Sequence, residues 1–106
     1  MIVRVFTAEV PKNLHAEFES KFKEISVPLV QGQQGLIRLE IARPTQWNPD
    51  TFSMISYWSS EEDIRLFAGE QWNKAHIPAG MEKYIQSCSV QHFEQIGLYA
   101  GDGPIK

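Results

Sequence analysis

Residues 52–63, FSMISYWSSEED, decide the fold. The first seven, mostly apolar and aromatic, read as a strand that ends at Trp58. The next five open a helix. Ser59 with Glu62 and Ser60 with Asp63 form alternative capping boxes, either of which satisfies orphan backbone donors at a helix start. Behind the cap, Ile64, Phe67 and Ala68 face inward. Just upstream, residues 36–42 (LIRLEIA) alternate Ile37, Leu39 and Ile41 against Arg38 and Glu40, the period of a half-buried strand. Pro44 stops that strand, and residues 45–50, with Asn48-Pro49-Asp50, carry turn chemistry. The two strands therefore form a long hairpin.

Working outward from the hairpin, residues 2–10 (IVRVFTAEV) are rich in β-branched side chains and end at Pro11, which suits a first strand. Asn13 is a candidate N-cap. Leu14, Phe18, Phe22 and Ile25 then recur at helical spacing, predicting an amphipathic helix that ends by Pro28. His15 falls on its polar, solvated side. After residue 68, Gly69 loosens the second helix, and residues 72–76 are expected to add a further turn or two. Pro78 and Gly80 precede a short helical piece with Met81 and Tyr84. Residues 88–97 (CSVQHFEQIG) read as strand four, and residues 98–106, with Gly101, Gly103 and Pro104, as a flexible C-terminal tail.

This order is β-α-β-β-α-β. It predicts an α+β, ferredoxin-like antiparallel sheet with helices on one face, forming one domain over residues 1–97. Strand one is apolar on both sides, with Val3 and Val5 on one and Ile2 and Phe6 on the other. A sheet with helices on one side and a second apolar face needs cover, so a homodimer is expected.

Composition narrows the function class. The net charge of −3, with no basic run, weighs against nucleic acid as a partner. The one cysteine, Cys88, excludes an internal disulfide and a Cys-rich metal site. The apolar start, Met1-Ile2-Val3-Arg4, is too short and too soon interrupted for a signal peptide, no apolar run reaches the roughly 18 residues of a membrane span, and the default compartment expected is the cytoplasm. There is no dinucleotide-binding GxGxxG, no P-loop, no HExxH and no nucleophile elbow. Glu61-Glu62-Asp63 is a helix start favoured by the dipole rather than an acid–base pair.

The spacing Phe18-x3-Phe22, the entry Gly35-Leu36, and Tyr57-Trp58-Ser59-Ser60-Glu61-Glu62 followed by Phe67, Trp72, Ala75-His76 and Val90-Gln91-His92-Phe93-Glu94 resemble the antibiotic biosynthesis monooxygenase domain. The resemblance implies a dimeric α+β barrel, formed sheet to sheet, with a small hydrophobic ligand between each sheet and its helices. It also implies two chemistries. The cofactor-independent polyketide oxygenases of the family have a Trp at the Trp58 place, an Asn four residues earlier and a Tyr six residues later; here those two places are Met54 and Ile64. The haem-degrading members have a His in an Ala-His pair, matched by Ala75-His76, but their Trp and Asn places are Phe67 and Phe6.

Within that resemblance the expected function is a cofactor-independent monooxygenase acting on a small aromatic or quinone-type molecule. The alternatives are haem binding or degradation through His76, and a non-catalytic ligand-binding module. Trp58 is read as the ring that stacks the substrate, and equally as a core anchor where strand three meets the second helix. His76 is read as a base or polar anchor, or as a helix-end histidine bonded to a terminal carbonyl. Arg4 is either a partner in a cross-strand ion pair or, if buried, a fork for a substrate carboxylate or phenolate. Phe6, Phe67 and Trp72 are candidate apolar walls. His92, beside Phe93, is assigned to the dimer interface or barrel face.

Overall fold

Strand β3, Thr51–Trp58, organises the molecule because its alternation is unbroken: Phe52, Met54, Ser56 and Trp58 are buried, and their neighbours between are half-buried. The computed structural model describes residues 1–75 and 77–104, so His76 lies outside the described residues. Strand β1, Ile2–Glu9, pairs antiparallel with β3, setting Ile2 opposite Trp58, Arg4 opposite Ser56, Phe6 opposite Met54 and Ala8 opposite Phe52. Strands β2, Leu36–Ala42, and β4, Ser87–Glu94, complete a sheet of order β2-β3-β1-β4. This is the expected antiparallel, ferredoxin-like α+β arrangement.

Strand β2 departs from simple alternation. Its register against β3 shifts between Leu36 and Arg38, a bulge that gives one partner residue two opposite it. Leu36, Leu39 and Ile41 therefore pack toward the core, while Ile37 is turned out and 54% exposed. Ile37 was expected to share the buried side with Leu39 and Ile41; the inserted residue reverses its face.

The first helical segment, α1, is longer than its sequence pattern predicts. It begins as a 3-10 turn at Lys12–Leu14, continues as an α-helix at His15–Lys21, widens into a π-helical turn at Phe22–Ser26 and ends as an α-helix at Val27–Gln31. Pro28 does not end it. The wide turn precedes the proline, which then occupies the first turn of the last piece, where a missing N–H costs little. Asn13 does not cap the segment either; it lies inside the 3-10 turn, where Leu14 N donates to Pro11 O at 2.9 Å. His15 is half-buried rather than freely solvated. Its Nε2 is 2.8 Å from Val10 O and 3.4 Å from Asp50 Oδ1, and its ring meets Phe52 edge-on.

Helix α2, Glu61–Ala68, uses the second of the two candidate caps: Ser60 Oγ accepts from Asp63 N at 3.2 Å, and both Ser59 and Ser60 hydroxyls donate to Asp63 Oδ2. Gly69, at φ 81°, ends it in a conformation that a side chain resists. The expected helical continuation over residues 72–76 is absent among the described residues. Instead the chain makes one turn, closed by Lys74 N on Gln71 O at 2.9 Å. A 3-10 turn at Glu82–Tyr84 leads into β4, and Tyr99–Ala100 (β5) pairs with Gly103–Pro104 (β6) in a small terminal hairpin.

The core lies between the sheet and the helices. Phe18 packs on Phe52 at 4.7 Å and on Phe22 at 5.0 Å between ring centres, with Val30, Ile64, Met81 and Tyr84 closing around them. The other sheet face carries Val3, Val5, Ile55 and Tyr57, all half-buried, and Phe93, which is 54% exposed. Among the described residues no helix is long and apolar enough to cross a membrane.

Candidate functional site

The helix-side face of the sheet is not filled completely. A cavity remains between Phe6, Met54 and Ser56 of the sheet, Phe18, Phe22, Ser26 and Val30 of α1, Phe67 of α2, and Ile77, Met81 and Ile85 of the connection to β4. Counting its mouth, the void measures about 550 Å³, yet only about 40 Å³ admits the centre of a water molecule. At roughly 10–15 Å³ per water centre, the cavity as it stands holds about three waters. A larger ligand enters only if Phe67, Ile77 or Met81 shifts.

Among the described residues, one charged side chain lines this cavity, that of Arg4. Strand β1 puts it on the helix side, at the centre of the sheet, and it is 4% exposed. Its Nη1 donates to the carbonyl of Trp72 at 2.5 Å and to Nε2 of His92 at 2.9 Å; its Nη2 donates to the carbonyl of Lys74 at 3.2 Å. Its guanidinium carbon lies 5.9 Å from the centre of the Phe67 ring. Burial brings the Arg4 pKa down to about 10, because water that would solvate the cation is excluded.

His92 joins this group, contrary to its expected place on the interface side. Strand β4 pairs with β1 so that His92 stands opposite Arg4, which turns its ring toward the helices. The ring also meets Trp72 edge-on at 4.7 Å. Since a guanidinium only donates, Nε2 of His92 must offer a lone pair, which fixes the Nδ1–H tautomer. Burial, then the charge of Arg4, lowers the His92 pKa below its ordinary 6.5, with Glu61 opposing weakly. The folded chain thus resists a proton that the unfolded chain accepts. Stability from this site is fully present above pH 6.5 and is lost as pH falls from there toward the depressed folded value. In His92→Gln this slope is expected to vanish from a series of urea melts at fixed protein concentration. An unchanged slope places the titration elsewhere.

Of the residues singled out in the sequence, Arg4, Phe6 and Phe67 line the cavity. Trp72 contributes its carbonyl and its ring to the Arg4–His92 group. Trp58 does not reach the cavity: it is 0% exposed, its Nε1–H donates to Ser56 Oγ at 2.8 Å, and Phe67 stacks over it at 5.4 Å with 24° between the planes. Its indole is covered by the residue that faces the void. His92, Met54, Ser26 and Ser56 were missed as site residues. The signal for His92 was a pairing between strands about 80 residues apart, which no local pattern encodes. Among the described residues no cluster of His, Cys, Asp and Glu could hold a metal ion.

The family model for "Antibiotic biosynthesis monooxygenase" matches residues 1–76. Among solved structures, the haem-degrader MhuD from Mycobacterium tuberculosis, with two haems in its active site, is similar at 21% identity and a TM-score of 0.70, covering 95% of this chain and 100% of that one. SnoaB, a cofactor-independent oxygenase from Streptomyces nogalater, is similar at 16% identity and a TM-score of 0.67, covering 90% of this chain and 92% of that one. At these identities the likeness shows the fold. No curated protein matches the chain.

Proposed function

The chain belongs to the antibiotic biosynthesis monooxygenase family, and on that premise we propose that it is a cofactor-independent monooxygenase for a small hydrophobic aromatic or quinone-type molecule. The observation that carries this is the cavity: narrow, apolar and aromatic on nearly every wall, and lined by one buried cation. A phenolic ring bound there can give four electrons to dioxygen. One oxygen atom enters the ring as a new carbonyl, the other leaves as water, and the two hydrogens of that water come from the substrate. Exclusion of water favours such chemistry by removing competing proton donors.

In this reading Phe67 presents its ring to the substrate, and Trp58, stacked behind it, holds Phe67 in place. Phe6 forms the opposite wall, Arg4 supplies the positive field, and Trp72 anchors Arg4 through its carbonyl. His76 is proposed as the base that takes the phenolic proton. The test is oxygen uptake with 1,5-dihydroxynaphthalene, whose conversion to a quinone requires a new ring oxygen, in chelator-treated buffer with no flavin or haem added. Uptake matched by one equivalent of quinone supports the reading. Tight binding without uptake moves the protein to a non-catalytic ligand-binding module of the same fold.

The haem reading is supported by Ala75-His76 and by the fold shared with MhuD. The described residues do not favour it. Among the described residues, His92 beside Arg4 has its Nε2 committed to that guanidinium, and the walls at Phe6 and Phe67 carry no polar group to direct oxygen. Haem binding thus depends on His76. A haemin titration should show weak binding, lost in His76→Ala; identical Soret shifts in the two proteins remove His76 as a ligand.

The functional unit is proposed to be a homodimer that pairs the sheet faces bearing Val3, Val5, Ile55 and Phe93, with Ile96, Leu98 and Tyr99 adding exposed apolar surface beside them. An obligate interface of this kind buries on the order of 2,000 Å² or more. Light scattering at micromolar concentration is expected to give twice the chain mass; a clean monomer refutes the pairing.

A further inference from the structure

We propose that the cavity takes its ligand as an aromatic oxyanion, a phenolate or enolate whose oxygen docks on the guanidinium of Arg4. This rests on the reading of the cavity as an aromatic-ligand site and names the ionisation state that it selects.

The chain has four arginines. Arg38, Arg43 and Arg65 are exposed and each pairs with a carboxylate, on Glu40, Glu19 and Glu61 respectively. Arg4 is buried, and among the described residues no carboxylate pairs with it. Its partners are two backbone carbonyls and a neutral imidazole nitrogen. Such dipoles satisfy N–H groups but leave the net charge uncompensated, and an uncompensated charge against apolar walls is costly. A buried cation of this kind is stabilised by an anion delivered from outside, and the cavity that it lines is where that anion would arrive.

The surroundings narrow the anion. Phe6, Met54 and Phe67 line the same cavity, so the body of the ligand must be apolar, and the guanidinium carbon, 5.9 Å from the centre of the Phe67 ring, is within reach of a substituent on a ring held among them. Among the described residues the other polar side chains on the walls are Ser26 and Ser56, both neutral, which suits one negative charge rather than two. A guanidinium fork accepts an oxyanion through charge-assisted bonds that a neutral hydroxyl or carbonyl cannot match. His92 acts as a positioning residue: its lone pair holds Nη1 and so fixes the plane of the fork. The phenolate is also the electron-rich form that reacts with dioxygen, so the group that binds the ligand favours its reactive state.

The test compares an acidic hydroxynaphthoquinone, anionic at neutral pH, with the methyl-substituted naphthoquinone of nearly the same shape, by fluorescence titration of the intact protein. The anion should bind about tenfold or more tightly, the scale of one charge-assisted contact. Arg4→Gln should bring the ratio of the two affinities to about one, and Arg4→Lys should keep part of the preference. Should Arg4→Gln fail to fold, Arg4→Lys carries the test: a preference reduced severalfold supports the assignment, and an undiminished one overturns it. Equal affinity of the two compounds for the parent overturns the oxyanion proposal and leaves the cavity reading standing. A preference that survives in folded Arg4→Gln overturns the assignment to Arg4, and failure of both compounds to bind overturns the cavity reading with it.

Discussion

Trp58→Ala is expected to lower folding stability by about 3–5 kcal/mol, the cost of removing a large aromatic ring from a filled core. Trp58 has no exposed surface, stands opposite Ile2 on one side and Leu36 on the other, and stacks against Phe67. Its loss also strips Ser56 Oγ of the donor that it accepts from. Against a total of about 5–15 kcal/mol for a domain of this size, that is a large share, so Trp58→Phe, at about 1–3 kcal/mol, serves as the milder gauge. Urea denaturation at fixed protein concentration reads both, since the stability of a dimer depends on concentration. A cost below about 1 kcal/mol for Trp58→Phe, with weaker aromatic binding, would mean that the ring lines open space after all.

Phe67→Ala is expected to weaken binding of flat aromatic ligands by about tenfold or more, since it removes the ring against which they lie. Phe67 is only half-buried, so its loss should cost less stability than the loss of Trp58. The substitution also uncovers Trp58, which stacks directly behind it. Fluorescence titration with methylnaphthoquinone decides between the two rings. Weakened binding assigns the platform to Phe67; unchanged binding, with stronger quenching of indole emission, assigns it to Trp58.

The sheet was legible where one face is buried without interruption. In β3, burial alternates at every residue, and the cap beyond it satisfies a local geometric rule, so both could be read from residues 52–63. Reading failed where a non-local event resets a local pattern. Ile37 has the right spacing for the core and is turned outward by a bulge that exists only because β2 pairs with β3. Pro28 obeys the usual rule for ending a helix, yet the π-helical turn before it removes the clash behind that rule.

The site was legible in part for the same reason. Arg4 and Phe6 share one face of β1 by simple alternation, and Phe67 follows from the helix period. His92 is set opposite Arg4 by the pairing of the first and last strands, across 88 residues. The position of Trp58 behind Phe67 rather than beside the cavity depends on the packing of α2 against β3, which an aromatic residue at a strand end leaves open.

The most direct test of the central claim, that ligand binds between sheet and helices, uses the three methionines as reporters. Met54 and Met81 line the cavity from the sheet and from the approach to β4, whereas Met1 lies outside it, 45% exposed. With methyl-labelled methionine, titration of hydroxynaphthoquinone should shift the resonances of Met54 and Met81 together, with one affinity, and leave Met1 in place. Saturable binding that leaves Met54 and Met81 unmoved would put the ligand elsewhere and contradict the account.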